Sequence, residues 1–162
     1  MRTLLLVTIF LALGLPASAA DDHRDFEDET LPGLDAVAVL VKTEGAEQLK
    51  VTPATLQGEI VTRLQRAGLS AVPFEKALKD SVRGVMNIYL GVTGTPEMLV
   101  FETKVDLLQS VVLVRDPSIS TLAPTWTRTG RGYGSPSAAR DKLNLQIEQF
   151  VSSWQSKNPR KP

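Results

Sequence analysis

Cysteine is missing from this chain of 162 residues, and histidine occurs once, at His23. Without cysteine there is no disulfide staple, no acceptor for a lipid anchor and no thiol nucleophile. With the lone histidine so close to the amino terminus, neither a Ser-His pair nor a histidine-rich zinc site is expected in the folded part, and no Ser-x-x-Lys arrangement replaces them. An excess of either charge is missing too: 18 Lys and Arg stand against 18 Asp and Glu. Nothing in that balance attracts nucleic acid or anionic lipid, so neither is an expected partner. Aromatic residues are few, at 6%. Beyond the first 20 residues no run is apolar and long enough to span a bilayer.

What is present begins with residues 1–20, which read as a secretory signal peptide. Arg2 is the charged start, 4–15 the apolar stretch, and Ala17, Ser18 and Ala19 the small residues of a cleavage site. Removing it takes away Arg2 and leaves 17 basic against 18 acidic side chains, a net charge near −1. The remainder suits one domain able to bury a core unaided. The periplasm is the expected compartment, full secretion the alternative, with no stable membrane anchor after cleavage. Residues 21–34 read as a flexible acidic leader. Six acids crowd into 21–30 and only Phe26 has anything to bury, although such a segment can also dock on a basic partner.

The domain proper is expected over 35–158, with 159–162 as a tail. Residues 35–42, DAVAVLVK, form a continuous apolar β-rich run, as in a central strand covered on both faces. Thr52 and Pro53 have the character of a helix cap and first turn; Leu56, Ile60, Leu64 and Ala67 follow at helical spacing, and Gly68 closes the helix. A short strand over 69–72 and a turn or two of helix over 74–80 come next. Residues 85–93 alternate as a strand, and the turn 94–97 joins them to the longest alternating run, 99–115. There Leu99, Phe101, Val105 and Leu107 lie on one face and Glu102, Lys104 and Asp106 on the other; beyond Leu108 the pattern implies a bulge near Gln109 and Ser110 or a more buried half. A loop over 116–124, a strand over 125–134 and a helix from Ser135 and Pro136 to about Lys157 complete the chain. The last helix carries Leu143, Ile147, Phe150, Val151 and Trp154 as its stripe. The order β-α-β-β-β-β-α predicts an α+β two-layer sandwich: a mostly antiparallel sheet of four or five strands, two amphipathic helices on one face and the other face polar.

The first strand at 36–42, the helix ending 64–68, the three-strand meander and a closing helix that stops at Asn158-Pro159 resemble the small α+β domains of Gram-negative envelope proteins. These are the curli-secretion-channel, TolB amino-terminal and penicillin-binding-protein activator types. The resemblance implies an accessory role in the envelope. It departs from the lipoprotein members in lacking a cysteine after the signal, and it transfers no functional residue.

Two stretches offer a site. Gly130, Arg131 and Gly132, with Tyr133, Gly134 and Ser135 leading into a helix, read as a glycine-rich turn whose amides and Arg131 would hold a small anionic ligand. The plainer reading of Gly130, Gly132 and Gly134, on the side of Trp126, is that they let a helix pack close on the sheet. The polar sheet face, with Tyr89, Glu102, Lys104, Thr127, Thr129 and Tyr133, suits a protein or glycan partner. Glu102 and Asp106 share that face but stand ~13 Å apart along a strand, too far for a working carboxylate pair. No catalytic residue, metal ligand or cofactor is expected. The sequence therefore reads as a non-catalytic exported domain that binds or regulates another envelope component, with anion binding at 130–135 as the alternative.

Overall fold

A computed structural model of the chain describes residues 26–79, 83–95 and 97–159. The expected signal peptide, His23 and the end of the tail lie outside them. The fold is an α+β sandwich on one open mixed sheet of five strands. Strand β1 is Ala36–Glu44, followed by a 3-10 turn Ala46–Leu49 and helix α1, Pro53–Ala67. Then come β2 (Ser70–Ala71), α2 (Phe74–Ala77), β3 (Arg83–Thr95), β4 (Met98–Leu113), β5 (Asp116–Gly134) and α3 (Pro136–Lys157). The strands lie in the order β2-β1-β3-β4-β5, with β1 parallel to both neighbours and the other pairs antiparallel.

Local chemistry explains the helices. The Thr52 hydroxyl accepts the amide of Thr55, Pro53 fills the first helical position, and Gly68 closes α1 at φ 103°, a left-handed value that favours glycine. Leu56, Ile60 and Leu64 of α1 and Leu143, Ile147 and Phe150 of α3 then join Val37, Val39, Met86, Ile88, Leu90, Val105 and Leu107 in one core. Ser135 does not cap α3 with its side chain; its hydroxyl is paired with that of Ser137. On the far side of the sheet, α2 seats Ala77 against Ala38 and Val85, so one corner of the otherwise open face is covered and β1 is buried on both sides at its start. Among the described residues no helix is long and apolar enough to cross a membrane.

Three expectations are corrected. Residues 116–124 are not a loop: β5 begins at Asp116, and Leu108–Val112 of β4 pair with 120–124. The bulge lies between Leu107 and Leu108 and leaves Thr125 as the extra residue on β5. The half of β4 beyond it is not more buried, because its ladder with β3 ends at Leu108 and the β4–β5 ribbon continues alone; Val112 and Val114 are exposed.

The third correction concerns the leader. From residue 26 onward it is a strap packed on the domain, and its acids are matched one by one. Glu27 pairs with Arg128, Asp28 accepts from the Trp126 indole (3.2 Å) and the Ser153 hydroxyl (3.1 Å), and Glu29 pairs with Lys157. Asn158 clasps the strap from the end of α3, donating to the Leu31 carbonyl at 2.9 Å and accepting the Gly33 amide at 2.8 Å. Leu31 and Leu34 are buried, and Phe26 is 71% exposed.

Gln146 is the one amide side chain of α3 that faces the core. It is buried beside Gly130, and neither its Oε1 nor its Nε2 has a hydrogen-bond partner among the described residues. A buried polar group without a partner costs about 1–3 kcal/mol. Gln146→Met is therefore expected to stabilise the domain by about 1 kcal/mol in urea unfolding; an equal loss would show that the amide is satisfied.

Candidate functional site

The open face becomes a site at the end of the sheet where β1, β3, β4 and β5 run side by side. Register puts Lys42 beside Tyr89, Glu44 beside Gly91, Gly91 beside Glu102, Glu102 beside Arg131, and Val100 beside Tyr133. Because side chains alternate between faces, these residues point to the side away from α1 and α3. All of them but Lys42, which flanks it beside Glu44, line a groove of about 670 Å³.

Tyr89 lies along the groove rather than standing up from it. A Cβ on Gly91 would come within 2.5 Å of the Tyr89 hydroxyl, so the glycine makes the room that the ring occupies. That hydroxyl donates to Glu44 Oε2 at 3.0 Å, the other oxygen of Glu44 takes Lys42 Nζ at 2.8 Å, and the ammonium sits 5.8 Å from the ring centroid. The Lys42 hydrogen bond, then that of Tyr89, holds the Glu44 carboxyl below its ordinary range. Its hydrogen bond to Glu44 raises the Tyr89 phenol in turn. The hydrogen bond to Glu44 likewise raises the Lys42 ammonium, so all three shifts run away from neutral pH, where Glu44 is ionised, Tyr89 protonated and Lys42 charged. Across the groove Arg131 Nη2 reaches Glu102 Oε1 at 3.2 Å with most of its side chain in water. Tyr133, 78% exposed, stands beside it.

The structure thus draws together residues from both candidate stretches. Tyr89, Glu102, Arg131, Gly132 and Tyr133 line the groove; Lys104 does not, since its ammonium is held 2.8 Å from the buried Asp106, which also accepts the Thr127 hydroxyl at 2.9 Å. Residues 130–134 are the end of strand β5, as the strand expected over 125–134 has it, and not a glycine-rich turn. Gly130 faces α3, where a Cβ would meet Lys142, Thr103 and Gln146 at 2.5–3.0 Å, and Gly132 lies under the Phe101 ring. These two glycines serve close packing. Arg131 points to the opposite face, so it and the amides at the start of α3 do not converge on one anion. Ser135 lies outside the groove lining.

Sequence reasoning missed Lys42, Glu44, Gly91 and Val100. The alternation of Lys42 and Glu44 at the end of β1 signals an exposed face, but which strand they adjoin depends on a parallel register set by the crossover through α1. Among the described residues no three His, Asp or Glu side chains cluster as a metal site.

Fold and groove define an open-faced α+β sandwich with a two-tyrosine, mixed-charge cleft. No family model and no curated protein matches the chain. Among solved structures it is similar to a dodecamer of a PelC point variant from Paraburkholderia phytofirmans, with 17% identity, 76% of this chain and 87% of that chain covered, and a TM-score of 0.40. A second PelC dodecamer from the same organism gives 15% identity, coverage of 82% and 93%, and a TM-score of 0.38. Likenesses this distant carry no argument about this chain.

Proposed function

We propose that the chain is an exported, non-catalytic domain that binds a protein of the cell envelope through the groove on its open sheet face. The observation that carries this reading is the pairing of an exposed Tyr133 with Arg131 and Glu102 on one wall and a fixed Tyr89–Glu44–Lys42 cluster on the other. Tyrosine and arginine are side chains that protein interfaces favour: tyrosine offers a large apolar ring and a polar tip at little entropic cost, and arginine a planar fork of hydrogen-bond donors. Both charge signs line the cleft, which suits an extended polypeptide carrying both rather than a simple anion. The periplasm is the compartment, by way of the signal peptide.

The test is recovery of a crosslinked partner from envelope extract by the tagged mature chain, residues 21–162. Tyr133→Ala and Arg131→Glu are each expected to reduce recovery at least tenfold, equivalent to about 1.4 kcal/mol. Arg63→Ala, on α1 away from the groove, is expected to change nothing. Unchanged recovery with both groove variants would sink the proposal. So would a retained small molecule with no protein partner, and its loss in Arg131→Glu would move the site to an anion-binding role.

A further inference from the structure

We infer that the outer edge of β5 over residues 118–123 pairs with the same window of a second copy of this chain. β5 is the last strand of the sheet, and among the described residues no strand lies on its far side. At Thr125 the strap meets that edge, with the Thr30 hydroxyl donating to the Thr125 carbonyl. Residues 118–123 are left bare, in a ribbon that β3 has already stopped supporting.

The chemistry of the window chooses its occupant. Proline is tolerated in an edge strand where the missing amide would have faced outward. Pro124 pairs with Leu108 in regular register through to Ser120, so by the period of two the amides of Leu122 and Ser120 point outward with it. Ser118 spends its amide on the Asp116 carboxylate, 3.1 Å away. The usable edge is therefore short, closed by Pro117 at one end and Pro124 at the other, and free of charge: Ser-Ile-Ser-Thr-Leu-Ala. Pro117, Pro124 and the bulge at Thr125 blunt the two ends of the edge, but between them it carries no lysine or other charge to repel a partner strand. An antiparallel partner must match it in length, be uncharged where it lies opposite, and bring its own outward amides. The same window in a second copy meets all three requirements about a two-fold axis, and would cover the half-exposed Ile119 and Leu122. A net charge near −1 on residues 21–162 leaves little long-range repulsion between copies.

Sedimentation velocity on the mature chain, residues 21–162, at up to about 100 µM is the test, a range that detects small, weak interfaces. A monomer–dimer equilibrium is expected. Ser120→Pro, which removes one outward amide but no bond of the β4–β5 ladder, and Leu122→Lys should each raise the dissociation constant at least tenfold with circular dichroism unchanged. Because the chain has no native thiol, Thr121→Cys supplies a second reading: it should oxidise to a disulfide dimer much faster than Ser152→Cys on the exposed side of α3. A parent that stays monomeric, a dimer indifferent to both edge variants, or equal crosslinking at the two cysteines would each overturn the inference. A monomeric parent whose recovery of an envelope protein is lost in Leu122→Lys would assign the edge to that protein instead.

Discussion

Trp126→Ala is expected to cost about 3–5 kcal/mol of stability, the range for removing a buried aromatic side chain from a core that cannot fully close over the gap. The indole is fully buried and meets Phe150 edge to face at 5.1 Å, while the Arg128 guanidinium lies 4.3 Å over its other surface. Its N–H reaches Asp28, so one side chain joins β5, α3 and the strap. Removing it forfeits the buried area, the ring pairing and the cation contact, and leaves Asp28 with one donor fewer. Against a total stability of about 5–15 kcal/mol for domains of this kind, the loss removes about a fifth of it or more. Urea unfolding followed by circular dichroism checks it, with the remaining Trp154 as a fluorescent reporter. Trp126→Phe keeps a ring against Phe150 and gives up the indole N–H, so a smaller loss of about 1–2 kcal/mol is expected. A Trp126→Ala protein within about 1 kcal/mol of the parent would mean that β5 is not held in this way.

What was legible in the sequence is what local chemistry controls. Thr52, Pro53 and Gly68 announce α1 because a cap, a fixed φ and a left-handed stop act within a few residues. The run at 35–42 announces a strand buried on both faces; both faces are covered over Ala36–Val39, by α1 on one side and α2 on the other, whereas from Leu40 onward the strand is partly exposed. The length of β5 was hidden for the opposite reason. Asp116, Pro117, Ser118 and Pro124 are turn-formers taken alone, and only the ladder to Leu108–Val112 draws them into a strand. Half of the groove was legible, since Tyr89, Glu102, Arg131 and Tyr133 alternate on strands that adjoin along a hairpin path. Glu44 and Gly91 were not, because they come together through a parallel pairing that no local pattern encodes.

Leu31→Ala is expected to destabilise the domain by about 2–5 kcal/mol, although a reading by composition places Leu31 in a solvated leader. Its side chain is 0% exposed within the main core. It is held there by backbone rather than by hydrophobicity alone. Asn158 donates to the Leu31 carbonyl, the Trp154 indole donates to the Leu34 carbonyl at 2.8 Å, and Thr30 donates to Thr125 on β5. Composition misleads because an acid-rich segment is unstable as an isolated chain, whereas here Arg128, Trp126, Ser153 and Lys157 receive the acids one at a time. Phe26 supplies the contrast. It is the one large apolar side chain in 21–30 and the natural candidate for burial, yet it is exposed, and Phe26→Ala is expected to change stability by less than about 0.5 kcal/mol. The two variants measured side by side in urea separate the alternatives. A packed strap makes Leu31→Ala costly and Phe26→Ala silent; a solvated leader leaves both silent, and a strap anchored at its acidic end reverses the order.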